Sequence, residues 1–301
     1  MRTSSFGVIQ DLPKVIASET SFEIFRRMCI VRFFEYGLIR AVKEGFVTCP
    51  VYLSSGQEAI AASVSLAIPG FAIFAQHRCH ATYLAFGGNP AMLRDELLGL
   101  PTGTSGGRAG SNCIQCHEDG ISMYGHHGLI GENVPLGVGA ALGNGRPTVC
   151  LFGDGAAEED YVLAAMGFAA THKLPVLFIC EDNNLSILTT VETRRSWSIT
   201  SVARALGMPG IDIADDPWTI LVRTLELKDN LPACVNIYVC RANWHVGIGT
   251  DGPPAWDRFG MVKTELQKLG WSDSITRIEE SVQRTMDDLW DKRLLETLLG
   301  K

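Results

Sequence analysis

The stretch from Val149 to Ile187, VCLFGDGAAEEDYVLAAMGFAATHKLPVLFICEDNNLSI, decides the architecture. With Thr148 it opens on a short apolar run, Thr148 to Phe152, which reads as a buried strand and ends in Gly153-Asp154-Gly155. From Glu158 to His172 the apolar residues Val162, Met166 and Ala169 recur at helical spacing. Glu158, Glu159 and Asp160 give this segment the acidic first turn that a helix N-terminus favours. Val176 to Cys180 is a second apolar run, ending in Glu181-Asp182-Asn183-Asn184. Strand, helix and strand in this order predict a parallel pair whose two strands end on one edge of the sheet. Ligands of open α/β sheets bind at that edge, so Asp154 and the asparagine pair should converge there although 29 residues separate Asp154 from Asn183.

The residue types at those strand ends have a chemistry in common. Gly153 and Gly155 let the backbone approach a bulky anion closely. A carboxylate, an amide oxygen and a backbone carbonyl are hard ligands suited to magnesium shared with phosphates. Taken singly, Gly-Asp-Gly is a turn and Asn-Asn a loop start. Placed at the ends of successive parallel strands, they point to a metal and phosphate site.

Outward from this unit the alternation continues. Ser21 to Glu44 carries Phe22, Phe25, Met28, Cys29, Phe33, Tyr36 and Ile39 at helical spacing, and Gly45 stops it. Gln57 to Leu66 and Ala91 to Leu98 read as helices, Phe71 to Ala75 as a strand, and Pro101 to Ser111 as a glycine-rich loop. A helix starts near Pro135, strands lie at Gly210 to Ile213 and Cys234 to Cys240, and Pro217 to Lys228 is a helix between them. Ser274 to Leu299 is a terminal amphipathic helix. There is no strong linker and no internal repeat. The expected fold is α/β: a parallel sheet flanked by helices, one domain over residues 1–301, with a helical N-terminal extension over 1–50.

Composition narrows the function classes. Of 301 residues 46% are hydrophobic and 20% charged, and 26 basic against 33 acidic side chains leave a net charge of −7. Without a basic stripe, nucleic acid is not an expected partner. The uncharged stretch Ala59 to Ala75 contains Ser63, Ser65 and the break Pro69-Gly70, so a helix end and a strand start explain it and no membrane segment is expected. Met1 to Lys14 has no apolar secretion core, Asp11, Glu19 and Glu23 argue against a transit peptide, and the cytoplasm is the expected location. Nine cysteines, some inside apolar runs as Cys150 and Cys180 are, suit free thiols in a reducing compartment. Cys113-Ile114-Gln115-Cys116-His117 matches a haem-attachment pattern that would need export, so it is read as coincidence. Cys234 and Cys240 on one strand make poor zinc ligands. Gly137-Val138-Gly139 precedes a strand and so is not read as a dinucleotide fingerprint.

Gly153-Asp154-Gly155 followed by Asn183-Asn184 resembles the thiamine-diphosphate-binding motif. The chain is similar to the α subunits of 2-oxoacid dehydrogenases acting on pyruvate, branched-chain oxo acids or acetoin. The likeness is carried by Arg27-Met28 with Arg32 and Glu35, by Gly56-Gln57-Glu58-Ala59, and by His77-Arg78-Cys79-His80. It continues through Gly107 to Ser111, Gly128-Leu129-Ile130-Gly131, Val134 to Gly137 and Lys173-Leu174-Pro175, and weakens after Ser186.

The resemblance implies thiamine diphosphate held through Mg2+, with Gly153, Asp154, Gly155 and Ala156 forming the first strand-end loop of the site. Asp154 would be a metal ligand and Asn183 or Asn184 the second; an ungapped alignment selects Asn183, with the Leu185 carbonyl as the third. Arg78, with His77 in place of a tyrosine common in the family, would hold the diphosphate, as suits an arginine fork. Gly128 and Ile130 would contact the cofactor rings, and His80 and His127 would face the reactive carbon as catalytic residues. His77 and His80, three residues apart, also admit a plainer reading as neighbours on one helix face, binding metal or capping a core. Where the family often has His-Gly-His-Ser, this chain has His245-Val246-Gly247-Ile248-Gly249, which makes His245 the remaining catalytic candidate there. Tyr52 replaces a histidine that often precedes Gly-Gln-Glu-Ala.

The activity implied is decarboxylation of a small 2-oxo acid with transfer of the acyl group to a lipoyl acyltransferase. A β subunit would supply the pyrimidine-activating glutamate in an α2β2 assembly. Two alternatives stand beside it. One is a transketolase-like carbon–carbon ligase or acyl or ketol transferase, to whose corresponding segment Asp182 to Ile187 is similar. The other is a non-catalytic scaffold or regulatory subunit, against which the intact Asp154, Asn183 and Arg78 count.

Overall fold

The computed structural model of the chain describes residues 7–118 and 120–299, with the side chains of the last helix described to Leu295. A long helix, α1 (Ser18–Lys43), is followed by α2 (Glu58–Ala67), β1 (Ala72–Phe74), α3 (His80–Ala85) and α4 (Pro90–Leu97). Next come β2 (Ser122–Tyr124), α5 (Asn133–Asn144), β3 (Thr148–Gly153), α6 (Asp160–His172) and β4 (Val176–Asp182). A small hairpin, β5 (Leu185–Ser186) with β6 (Thr189–Thr190), leads into α7 (Val191–Arg194) and α8 (Ile199–Ala205). The remainder is β7 (Gly210–Ala214), α9 (Pro217–Leu227), β8 (Ala233–Tyr238), α10 (Arg258–Lys268) and α11 (Ser272–Leu299).

Among the described residues six strands form one sheet in the order β2-β1-β3-β4-β8-β7, every pair parallel. The expected α/β class follows directly. β4 is buried along its whole length, as a strand covered on both faces must be. Side chains alternate between two cores with the period of a strand. Val149, Leu151, Leu177 and Ile179 join the larger core, with α1, α2, α9, α10 and α11. Cys150, Phe152, Phe178 and Cys180 join the smaller one, with α5, α6 and α8. In α5, Gly137 lies flat against the sheet, where a Cβ would overlap Cys150 Sγ; close helix–sheet packing, not a nucleotide, accounts for that glycine.

Several expectations change. His77 sits in the loop after β1 and only His80 is helical, so the two do not share a helix face. β8 ends at Tyr238, which leaves Cys240 off the strand that holds Cys234. The first helix is integral to the larger core, since Ile24, Phe25, Met28 and Phe34 are fully buried in it; residues 1–6 of the expected extension lie outside the described residues. α3, β2, α8, α10 and the hairpin have no counterpart in the sequence reading, although Phe259, Val262 and Leu266 mark the buried face of α10. All nine cysteines are free thiols. No helix among the described residues is long and apolar enough to cross a membrane.

The docking of α11 on α1 yields a test. The Trp290 indole is fully buried, donates to the Phe34 carbonyl at 3.0 Å and lies directly over Gly37. In an exposed helix interior Gly→Ala stabilises by about 1 kcal/mol. Here the new Cβ would overlap the indole, so Gly37→Ala should destabilise the fold by about 1–3 kcal/mol. Urea denaturation reads the sign, and a stabilised variant would show that Trp290 does not occupy this position.

Candidate active site

Connections run from β1 outward to β2 but from β3 outward to β4, so the order reverses between β1 and β3. A crevice opens beyond the carboxyl ends of the strands at such a reversal. There β1 delivers Gln76, His77 and Arg78, β3 delivers Gly153 to Ala156, and β4 delivers Asn183 and Leu185. These residues line one pocket together with Ile130 from the loop before α5 and His245 from the loop after β8. The same pocket takes in Gln76, His126, Gly131, Ser186, Ile187 and Arg241, none of them among the expected site residues.

His80, His127 and Gly128 do not line it. His80 is fully buried, its Nδ1 3.2 Å from Glu35 Oε1 and its Nε2 2.9 Å from Ser111 Oγ. A carboxylate and a hydroxyl hold the His80 ring inside the protein, away from this pocket. His127 is exposed, with its ring against the Glu132 carboxylate. Gly128, at φ +113°, donates its N–H to His126 Nδ1 at 2.9 Å, so His126 and not its neighbour points into the pocket.

Glu35 is the hub beneath the site. Its buried carboxylate accepts from Ser54 N at 2.6 Å, Ser55 N at 2.7 Å and Ser55 Oγ at 2.5 Å, besides meeting His80. The loop so fixed presents the Leu53 carbonyl to Arg78 Nη1 at 2.6 Å, while Arg78 Nη2 donates to the His245 carbonyl at 3.1 Å. Arg78 is thus buried against backbone oxygens, and burial with the nearby Arg241 brings its pKa down to about 10.

The corner around Arg78 is cationic. Arg241 donates from Nε to Asp251 Oδ2 at 2.6 Å and from Nη2 to the Ile187 carbonyl at 2.8 Å. Its buried Nη1 has no hydrogen-bond partner among the described residues, and neither has His77 Nε2. Burial, followed by the charge of Arg78, holds His77 well below the ordinary histidine value and lowers His245 as well. His126 is lowered chiefly by burial. The pocket therefore keeps neutral imidazoles beside two guanidinium groups, with buried nitrogens left over. An anionic ligand fits that electrostatic and donor pattern.

Asp154 is the acid that lines the same pocket. Asp154 is 1% exposed, and burial, then the neighbouring Asp182, raises its pKa to about 6. Arg194 Nη2 donates to Asp154 Oδ2 at 2.5 Å; Arg195 Nη1 donates to the Asp154 carbonyl at 2.6 Å and to Glu158 Oε1 at 2.8 Å. Asn183 shares the pocket, its Nδ2 donating to Gln57 Oε1 at 3.0 Å. Asn184 has φ +67° and turns into a second pocket beside Asp182, where its Oδ1 accepts from Val191 N at 3.2 Å. No cluster of three or more His, Cys, Asp and Glu side chains among the described residues could hold a metal. A divalent cation here would need the neutral oxygens of Asn183 and Leu185 beside Asp154, and that hard-oxygen set fits magnesium or manganese. Arg194 and Arg241 escaped the sequence reading because both lie beyond Ser186, where the resemblance weakens.

The sequence profile of a family described as Dehydrogenase E1 component matches residues 26–227. The mitochondrial pyruvate dehydrogenase E1 component subunit alpha-1 of Oryza sativa subsp. japonica is 32% identical over 214 residues, covering 68% of this chain and 54% of the relative. The pyruvate dehydrogenase E1 component subunit alpha of Zymomonas mobilis subsp. mobilis is 32% identical over 201 residues, covering 64% and 56%. That of Rhizobium meliloti is 32% identical over 214 residues, covering 69% and 60%. The chain thus spans little more than half the length of these relatives.

The suppressed imidazoles make a prediction about anions. An anion beside Arg78 offsets the charges that keep His77 and His245 neutral, so their pKa values should rise on binding. Inorganic diphosphate should then bind with proton uptake, and its affinity should fall as pH rises through the range between the free and bound histidine values. Calorimetry in buffers of different ionisation enthalpy counts the protons; a count of zero would place the anion away from these rings.

Proposed function

Because the chain belongs to the dehydrogenase E1 component family, we propose that it is the α subunit of a thiamine-diphosphate- and magnesium-dependent enzyme. The reaction is decarboxylation of a 2-oxo acid with transfer of the acyl group to a lipoyl acceptor. One observation carries this reading: Asp154, Asn183 and Leu185 line the same pocket as Arg78, His77 and Arg241. Oxygen ligands for a cation thereby face nitrogen donors for an anion across a single cavity.

When bound, thiamine diphosphate supplies the carbanion stabilisation that decarboxylation of a 2-oxo acid requires. The residues of this chain bind and orient. Asp154, Asn183 and the Leu185 carbonyl hold the cation; Arg78 and Arg241 face the diphosphate; Gly153 and Gly155 keep that approach open. Ile130 packs against the cofactor rings. His245 reaches the pocket next to Tyr52 and His77, with ring centroids 5.8 and 5.5 Å away. It takes the part of proton donor or acceptor near the substrate, for which its neutral imidazole is suited. His80 acts at one remove, holding the loop that positions Arg78.

A second chain completes the site. The pyrimidine-activating glutamate comes from a β subunit in an α2β2 assembly. An apolar surface supports this: Leu129, Leu136 and Leu142 beside and along α5 are each more than half exposed, and Phe168 on the adjoining α6 is 42% exposed. Covering them calls for an obligate interface of at least about 2,000 Å2.

Two experiments test this reading. Asn183→Ala should weaken magnesium-dependent cofactor binding far more than Asn184→Ala, as measured by equilibrium dialysis; the reverse order would place the metal at the second asparagine. The purified chain alone should be inactive, and co-expression with its partner should give carbon dioxide release and acylation of lipoamide. Ketol formation instead would favour a transketolase-like transferase, and full turnover by the isolated chain would contradict the shared site.

A further inference from the structure

We propose that Arg194 is an internal counter-cation for Asp154, displaced when a divalent metal binds, so that loading the site exchanges one cation for another. The inference rests on the metal and cofactor reading above.

The carboxylate of Asp154 is buried beyond the end of β3, and a charge in that position requires a partner. Arg194 meets this need with Nη2 2.5 Å from Asp154 Oδ2. A magnesium or manganese ion ligated by a carboxylate oxygen sits about 2.1 Å from it. A metal taking that same oxygen, Oδ2, would have to displace the guanidinium from it. Gly155 makes room for the arginine, because a Cβ there would lie 3.2 Å from Arg194 Nη1 and 2.7 Å from Ser186 Oγ.

The segment that carries Arg194 is built to yield. Every residue from Asn183 to Ser198 is at least partly exposed, and Ile187 and Leu188 are 54% and 61% exposed. The hairpin has two residues per strand, and α7 is one turn with no buried residue. Few apolar contacts and an exposed backbone are the features of a segment that opens at low cost. Beyond Asp154, the arginine pair is tied to Glu158, by Arg194 Nη1 at 3.1 Å and Arg195 Nη1 at 2.8 Å. Glu158 can keep both arginines near the site after Arg194 has left Asp154.

Competition of this kind lowers the apparent affinity for the metal by the fraction of molecules in which Asp154 is free. Removing the competitor should tighten metal binding while weakening the unloaded fold. Mn2+ with thiamine diphosphate, titrated by calorimetry into the wild-type chain assembled with its co-expressed partner and into Arg194→Gln assembled the same way, gives the comparison. The variant should bind Mn2+ about tenfold more tightly, within the usual span of coupling between sites, and should melt at a lower temperature without ligands. Arg195→Gln, which leaves the Asp154 carboxylate paired, should not bind more tightly. Unchanged or weaker binding by Arg194→Gln would overturn the inference alone, because the wild type would still bind. Absence of binding by both proteins would overturn the inference together with the functional reading. If Arg194→Gln does not fold, the wild type decides: its Arg194 guanidinium resonances should shift on adding Mg2+ and thiamine diphosphate, and unchanged resonances would overturn the exchange.

Discussion

Gly153 stands opposite Glu181 in the parallel ladder of β3 and β4, one residue before Asp154 and two before Asn183. Successive strand residues face opposite sides, so a one-residue slip in this pairing would exchange Asn183 for a neighbour that points elsewhere. The alternation of β3 and β4 between two buried cores pins the register, because either slip would push Val149 and Phe178 into the wrong layers. Asn184 shows how narrow the tolerance is. One residue on, the backbone turns to φ +67° and the side chain enters a different pocket.

The second support is Glu35, which lies outside the lining of the site pocket. Its carboxylate gathers two backbone N–H groups, a serine hydroxyl and the His80 ring, joining α1 to the loop before α2 and to α3. A buried carboxylate satisfied by this many donors is costly to disturb and holds its partners rigidly. Arg78 depends on this order, since its guanidinium rests on the Leu53 carbonyl that the same loop presents. The pocket thus combines two guanidinium groups and neutral imidazoles with the buried carboxylate of Asp154.

Much of this was legible in the sequence, and the reasons are physical. The strands β3 and β4 and the helix between them announce themselves by apolar runs and helical spacing. Their common edge follows from parallel topology alone, so the convergence of Asp154 and Asn183 needed no coordinates. Arg241 and Arg194 were not legible, because their roles depend on where irregular segments beyond β4 and β8 fold back. His80 shows how helix geometry decides where a ring points. A histidine two residues from a pocket arginine looks catalytic in sequence, yet α3 begins at that residue and turns its ring toward Glu35. His126 was passed over for His127 for the same reason: the turn at Gly128 decides which of two adjacent rings faces inward.

The proposed function requires Asp154 and Arg78, which line one pocket, to hold a metal-bound diphosphate between them. Calorimetric titration of thiamine diphosphate into the chain, with and without Mg2+, tests it most directly when repeated on Asp154→Ala. Binding should require Mg2+ in the wild type and be lost in the variant while its fold persists. Binding of equal strength without the metal, or unchanged in Asp154→Ala, would contradict the proposed function.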